Sequence, residues 1–137
     1  MRTLRRLAPL FTAVALACGG DGGNEPPPPP PPLSGPGPVS FDIAVSTGAD
    51  HGAVLFTVTG GAVDSVTGLA GYQVFHTVTS TGARGMAFGS IVNGPLVQVW
   101  VPDRARAAGY TVRVDEGAVR GTWATLSPES YSVARAP

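Results

Sequence analysis

The segment Val39-Ser40-Phe41-Asp42-Ile43-Ala44-Val45 decides the fold class of this chain. Its large apolar residues occupy every second position, and polar or small residues stand between them. Successive side chains of an extended strand point to opposite faces, so this alternation predicts a strand with one buried and one exposed face. The same segment marks the point where a proline-rich stretch ends and a folded domain, residues 39–137, is expected to begin.

Comparable short strands follow along the rest of this domain. The strongest patterns lie at 53–59, 72–78, 96–101 and 110–114, and turn residues separate them. No convincing amphipathic helix is present, and residues 104–109 predict at most one helical turn. About seven to nine short strands with regularly spaced turns predict an all-β fold, an antiparallel β-sandwich. A small closed barrel is the alternative.

The alternation also predicts which residues form the core. The expected core residues are Phe41, Ile43, Val54, Phe56, Val58, Val74, Met86, Phe88, Val97, Val99, Val112, Val114 and Val133. In the strand at 96–101 the inward set is Val97, Val99 and Val101, because the other face carries Gln98 and a buried amide without partners is costly.

A hairpin is expected between residues 86–92 and 96–101, around Asn93-Gly94. Asn-Gly is typical of a tight two-residue turn. Pro95 follows, however, and has no N–H with which to close such a turn. We therefore expect a wider loop or a bulge at this point.

Residues 1–17 have the organisation of a secretory signal peptide. A short basic start, with arginines at 2, 5 and 6, precedes an uncharged apolar run at 7–17, and Cys18 follows with two glycines. The run is about half the roughly 20 residues needed to span a bilayer, so it makes a poor permanent anchor. The sequence therefore predicts export, with cleavage near Cys18.

The segment Ala15-Leu16-Ala17-Cys18 resembles the lipobox of bacterial lipoproteins. The resemblance implies that Cys18 becomes the N-terminus and carries a diacylglyceryl group and an amide-linked acyl chain. Two lipid signals are what stable membrane anchoring requires. Gly19 after the cysteine implies the outer membrane, by the same resemblance. The alternative is an ordinary secreted protein with an incidental cysteine.

Residues 18–38 are expected to form a tether between the lipid and the domain. Pro26–Pro32 are seven consecutive prolines, which favour extended polyproline II. At about 3.1 Å per residue, such a segment makes a semi-rigid spacer. The alternative is a proline-rich ligand for a groove-binding partner.

Charge and cysteine content exclude several classes of protein. The precursor has no net charge, but loss of the signal peptide leaves six arginines against nine acidic residues, a net charge of about −3. Nucleic-acid binding, which needs a clustered basic footprint, is not expected. Cys18 is the sole cysteine, so the domain must fold without disulfides.

The sequence offers no catalytic site, cofactor or metal centre. His51 and His76 are its histidines, and no G-x-S-x-G motif or calcium-loop pattern accompanies them. We expect His51 to be a solvated turn residue beside Asp50, and His76 to be a packed or partly exposed strand residue. A calcium ion held by loop aspartates remains an alternative, and we do not expect an enzyme.

Aromatic residues are the remaining candidates for function. Trp100, Trp123 and Tyr72 lie on or beside strands, and exposed rings on an exported sandwich could bind a polysaccharide or an envelope protein. The alternative is that these rings fill the core or cover its rim. Trp100 is the preferred surface candidate, because it shares a face with Gln98. A second reading is an assembly protein of the envelope that pairs with a membrane component through a sheet edge.

Three segments also resemble cohesin-type β-sandwiches, which have immunoglobulin-like architecture. They are residues 52–58, 63–66 and 94–101, read as GAVLFTV, VDSV and GPLVQVWV. The order GAVLFTV, GYQVF, GPL and VPD is similar to that of small lipoprotein domains of environmental bacteria. These resemblances imply a sandwich fold and an extracellular or envelope location.

Overall fold

The alternating segment forms most of strand β1, Gly37–Val45. Val39, Phe41 and Ile43 are buried, as the alternation predicts. The structure is a computed structural model that describes residues 26–31 and 33–137. The signal peptide and Cys18, on which the lipoprotein prediction rests, lie outside the described residues. Pro26–Pro31 are exposed and have no regular secondary structure.

The predicted all-β sandwich is confirmed. The strands after β1 are β2 (His51–Thr59), β3 (Ser65–Gly68), β4 (Gln73–Thr79), β5 (Gly82–Ile91), β6 (Gly94–Val101), β7 (Thr111–Val119), β8 (Thr125–Leu126) and β9 (Tyr131–Arg135). They form a four-stranded sheet in the order β3-β6-β1-β9 and a five-stranded sheet in the order β4-β5-β2-β7-β8. All paired strands are antiparallel.

The core lies between the inner faces of the two sheets. Its largest fully buried side chains are Phe41, Phe56, Ile43, Leu96, Val54, Val58, Val97, Val99 and Val101. Gly85 on β5 is small because the Phe56 ring occupies its side-chain space, and a Cβ at Gly85 would lie 2.5 Å from Phe56 Cζ. The core predictions for β1, β2, β6 and β7 are therefore confirmed.

The core predictions for Met86 and Phe88 are wrong. The inward residues of β5 are Ala83, Gly85 and Ala87, whereas Met86 and Phe88 alternate with them and are only half-buried. Met86 and Phe88 share the outer face with the exposed Arg84, and the inner face needs small residues because the Phe56 ring packs on it. Two further predicted core residues, Val74 and Val133, are partly buried and pack against the core from its margin.

The predicted hairpin at Asn93-Gly94 is also wrong. The two strands it joins belong to different sheets, β5 to the five-stranded sheet and β6 to the four-stranded sheet. Asn93 lies in the crossing, where its Oδ1 accepts a hydrogen bond of 2.7 Å from the Val45 N–H. The wider loop or bulge was expected in the turn of that hairpin, whereas the irregularity beside Pro95 lies in another strand pair, where the β1–β6 register shifts between Phe41 and Asp42. That shift lets Leu96 and Val97 both be buried.

Helical structure in the described residues is limited to two short 3-10 segments. The first, Arg104–Gly109, matches the single turn expected there, and the Asp103 side chain caps it by accepting from the Ala105 N–H. The second is Pro128–Ser130. Across residues 26–31 and 33–137, no helix has the length and apolar character needed to cross a membrane.

Candidate functional site: an apolar patch on the five-stranded sheet

The outer face of the five-stranded sheet carries a band of large apolar side chains. Leu55 on β2 lies opposite Met86 on β5, which in turn lies opposite Phe75 on β4. Directly opposite residues of an antiparallel pair project to the same side, so these three form one row across the sheet. Phe88, two residues after Met86, extends the band into the next row. Phe75 is 66% exposed.

Trp123 closes one end of this band. It follows β7 in a tight turn, where its N–H donates to the Val119 carbonyl at 2.9 Å. Its φ of +59° lies in the left-handed region, which bulky residues rarely adopt. The indole is nevertheless 59% exposed. A large aromatic residue therefore occupies a strained, exposed position, and such outliers point to function more often than to packing.

We define the outer patch as Leu55, Phe75, Met86, Phe88 and Trp123. The rings of Phe75 and Phe88 meet edge to face, with centroids 5.9 Å apart. Two open grooves, of about 550 and 200 Å³, run along the band and share Leu55 and Met86 as walls. Scattered exposed apolar residues are ordinary, but a contiguous group that lines grooves marks an interaction surface.

A charged row borders the outer patch. Arg113 donates to Asp115 Oδ1 from Nε and Nη2, at 3.1 and 2.8 Å, and Thr57 donates from Oγ1 to Oδ2 at 2.5 Å. Arg84 stands 3.9 Å from the same carboxylate. Burial alone would raise the pKa of Asp115, but the hydrogen bonds from Thr57 and Arg113 and the two positive charges hold it below its usual range. Two guanidinium groups share the Asp115 carboxylate, and the exposed Glu116, opposite Leu55, lines the groove beside them, so both signs of charge border the patch.

The three aromatic residues singled out from the sequence do not come together. Trp100 is 41% exposed but lies on β6, in the four-stranded sheet, whereas Trp123 lies beside the five-stranded sheet. Tyr72 belongs to the core, where its hydroxyl donates to the Ser90 carbonyl and accepts from the Val92 N–H, both at 3.2 Å. Of the three, Trp123 is the one the structure places in the outer patch.

The histidines occupy different surroundings from each other. The prediction of a solvated His51 is wrong, because His51 is 3% exposed and its ring bonds the Tyr131 hydroxyl at 2.6 Å and the Thr47 hydroxyl at 3.0 Å. For His76 the sequence left two alternatives, a packed or a partly exposed strand residue, and the structure places it exposed on the edge strand β4. Its Nε2 accepts a hydrogen bond from the Val66 N–H at 3.3 Å. Among the described residues, no three His, Cys, Asp or Glu side chains converge in a metal-binding group.

Sequence reasoning missed most of the outer patch. Leu55 and Phe75 are single large apolar residues on strand faces that are otherwise polar or small, so neither strand predicts a patch. Met86 and Phe88 are large and apolar and therefore resemble core residues, although Arg84 shares their face. The available signal was size. In β5 the alternation of Ala83, Gly85 and Ala87 with larger residues separates a crowded inner face from an outer one.

No family model, curated protein or solved structure matches this chain.

Proposed function

We propose that this protein is a lipid-anchored, non-catalytic binding module of the bacterial cell envelope. It holds its ligand, a polysaccharide or an envelope protein, on the outer patch. The observation that carries the proposal is the patch itself: five large apolar side chains, three of them aromatic, lie side by side on an otherwise polar sheet face. Leaving that much apolar surface in water is unfavourable unless a partner covers it.

The chemistry of the patch suits both classes of ligand. Aromatic faces stack on sugar rings and fill pockets of protein partners, and aromatic residues concentrate binding energy at interfaces. The neighbouring guanidinium groups of Arg84 and Arg113 add donors for carboxylates or hydroxyls at the rim. Flanking polar groups of this kind fix the orientation of a ligand, while the apolar centre supplies most of its affinity.

Support for the lipid anchor comes from the N-terminal sequence. A basic start, an apolar run too short to span a bilayer and a cysteine at the expected cleavage site together favour a lipidated N-terminus. The proline-rich tether then links the domain to the lipid surface. In this arrangement the outer patch is presented to neighbouring envelope components.

Capture from an envelope extract tests the proposal. The mature chain, immobilised with Cys18→Ser to remove acylation, is compared with the double variant Phe75→Ser/Trp123→Ser. Loss of the two most exposed aromatic residues of the patch is expected to lower capture of the specific component by at least about tenfold. The matched control is Val92→Ser, which removes an exposed apolar side chain outside the patch. Equal capture by the double variant and the wild type would exclude the outer patch as the binding surface.

A second candidate function is assembly through a sheet edge, and strand β4 favours it. This edge strand is seven residues long, reads QVFHTVT, and contains no charged residue or proline. Such residues are the usual protection of an edge against pairing with other chains. Val78→Lys places a charge on the edge and on the face opposite Phe75. Edge pairing is favoured over patch binding if Val78→Lys no longer captures the envelope component while the double variant Phe75→Ser/Trp123→Ser still does.

A further inference from the structure

The end of the domain where the tether arrives has a surface composition of its own. Gly37 is the first residue of β1. Around it, Leu33, Pro38, Arg104 and Arg135 line a groove of about 230 Å³. No acidic side chain lines this groove. We call the end of the sandwich that carries Leu33, Pro38, Trp100, Arg104 and Arg135 the tether end. Trp100 projects from the outer face of the four-stranded sheet beside Pro38, whereas Arg135 lies opposite the inward residue Phe41 and reaches the groove from the other side.

Arg104 is held in place at this end without a charged partner. Its side chain lies so close to Gly37 that a Cβ there would be 2.6 Å from its Cδ and Nε. The Nε is buried and has no hydrogen-bond partner among the described residues. Its backbone N–H is fixed by the Gly35 carbonyl at 2.9 Å. The Nε is itself closed to a ligand, but Arg104 as a whole is only half-buried and lines the groove, so its positive charge is available to an anion there.

The arginines of the domain divide by position. Arg84 and Arg113 lie beside Asp115, and Arg120 pairs with Asp50 at 3.4 Å. Within the part of the chain that the structure describes, Arg104 and Arg135 make no salt bridge, and both line the groove of the tether end. Arg106 also makes no salt bridge among the described residues but does not line the groove, so two of the three arginines without a salt bridge lie at the tether end.

Exposed apolar side chains accompany these arginines. Leu33 is 66% exposed at the end of the proline-rich segment. Trp100 lies directly opposite Pro38 in the β1–β6 register, so both project from the outer face of the four-stranded sheet beside the groove. Indole rings favour the boundary between lipid and water, and arginines favour anionic headgroups.

We propose that the tether end docks on the anionic headgroups of the membrane to which the protein is anchored, with Arg104 and Arg135 on phosphate groups and Trp100 and Leu33 in the interface. The inference rests on the lipid anchor of the proposed function. Each arginine near an anionic surface contributes only a modest attraction. A tether converts docking into an intramolecular event at high effective concentration, so weak contacts suffice. The domain then has a fixed orientation, with Trp123 directed away from the lipid.

The separation of the two tryptophans makes the proposal measurable. Strand β1 runs from the tether end to Val45 and continues through a short loop into β2 at His51. Val119, the last residue of β7, pairs with His51, and Trp123 follows it. Trp100 and Trp123 thus lie at opposite ends of strands about 30 Å long. They are the only tryptophans of the chain.

The first experiment follows tryptophan fluorescence on vesicles. The mature chain with Cys18→Ser, which carries no acyl group, is mixed with phosphatidylcholine vesicles with or without phosphatidylglycerol. With Trp123→Phe, emission from Trp100 is expected to shift to the blue and to be quenched by brominated acyl chains on the anionic vesicles alone. With Trp100→Phe, emission from Trp123 is expected to stay unchanged. Unchanged Trp100 emission, or equal shifts for both residues, would overturn the proposal.

The second experiment measures vesicle partition of arginine variants. Arg104→Gln/Arg135→Gln is expected to lower the partition coefficient on anionic vesicles about 25-fold, or about fivefold per arginine. The control Arg84→Gln/Arg120→Gln makes the same change in net charge elsewhere and is expected to lower it less than twofold. Equal losses in the two pairs would contradict a localised site. Thermal melting of each variant shows that the domain remains folded.

A competition experiment distinguishes binding of lipid headgroups from binding of free phosphate. Inorganic phosphate, added at constant ionic strength, is expected not to displace the protein from anionic vesicles. Displacement by phosphate would instead assign the groove to a soluble anion and overturn membrane docking. Because every assay uses the unacylated chain, failure here would leave the lipid anchor and the outer patch untouched; those depend on Cys18 labelling and on envelope capture.

Discussion

Val99 and Trp100 are adjacent in the sequence and face opposite environments. Val99 is fully buried between the sheets, whereas Trp100 projects from the outer face of the four-stranded sheet. The inward assignment of Val97, Val99 and Val101 could be made from the sequence, because Gln98 identifies the other face. Val97 to Val101 are therefore predictable one by one, whereas Leu96, which alternation places with Gln98, is buried because of the bulge in the β1–β6 pairing.

Val99→Ala tests this assignment. The substitution removes two buried methyl groups and leaves a cavity, so we expect a loss of about 1–3 kcal/mol in the free energy of unfolding. Trp100→Ala is expected to cost clearly less, because its ring is 41% exposed. Chemical-denaturation midpoints of the two variants provide the comparison. A larger loss for Trp100→Ala would place the indole in the core and remove it from the tether end.

Asp115 makes stability depend on pH. Its pKa in the folded protein lies below the usual range, because the hydrogen bonds from Thr57 and Arg113 and the nearby positive charges outweigh the opposite effect of burial. The unfolded chain thus binds the proton more tightly, and the carboxylate stabilises the fold above about pH 4. This contribution is lost as pH falls through the lowered pKa.

Chemical denaturation of Asp115→Asn between pH 7 and pH 2.5 tests whether Asp115 stabilises the fold at neutral pH and loses this effect in acid. The variant is expected to be less stable than the wild type at neutral pH and to converge with it at the acidic end. Asp64→Asn, which removes a carboxylate without a salt bridge within residues 26–31 and 33–137, serves as the control. A constant difference between Asp115→Asn and the wild type across the range would contradict the account.

Strand β5 shows why the buried face of a strand cannot always be predicted from the sequence. Strands with one polar face, such as β1, could be assigned in full because alternation and burial agree. In β5 the small residues and the exposed Arg84 mark the two faces in the sequence, but the reason for the small inner face is the Phe56 ring, which pairing with β2 brings to Gly85. The outer patch in turn combines residues of three separate strands and the turn after β7, and that combination is not visible in any local segment.

The register of β5 is tested by two substitutions at neighbouring positions. Ala87→Leu adds volume to a fully buried site and is expected to cost about 1–3 kcal/mol of stability through overpacking. Met86→Ser, on the half-buried outer face, is expected to cost less and to leave the cooperativity of unfolding unchanged. Thermal denaturation of both variants measures the two stability losses. The reverse order of the two losses would mean that the strand is shifted by one residue, which exchanges its faces.

The whole molecule combines a β-sandwich with a proposed lipid anchor at the far end of a proposed tether. The sandwich class could be predicted from strand number and turn spacing, but the assignment of strands to sheets could not. Paired strands such as β1 with β9 and β2 with β7 are far apart in sequence. The anchor, by contrast, depends on local sequence at residues 1–18, which can be tested directly.

Cys18→Ser tests the anchor in the cell. Without the thiol no diacylglyceryl group can be attached, and we expect the loss of metabolic fatty-acid labelling and release of most of the protein from the membrane fraction. The tether end alone should retain only a salt-sensitive minority, because its contacts are electrostatic and weak. Membrane association of the variant equal to that of the wild type would contradict the lipoprotein proposal.

Site-specific photo-crosslinking in intact cells tests the central claim most directly, namely that the outer patch holds an envelope ligand. A photoreactive phenylalanine derivative replaces Phe75 or, in a second strain, Trp123, and the control position is Ser132, which is exposed on the other sheet. The account predicts one common adduct from both patch positions and none from Ser132. Adducts from Ser132 without adducts from either patch position would contradict it.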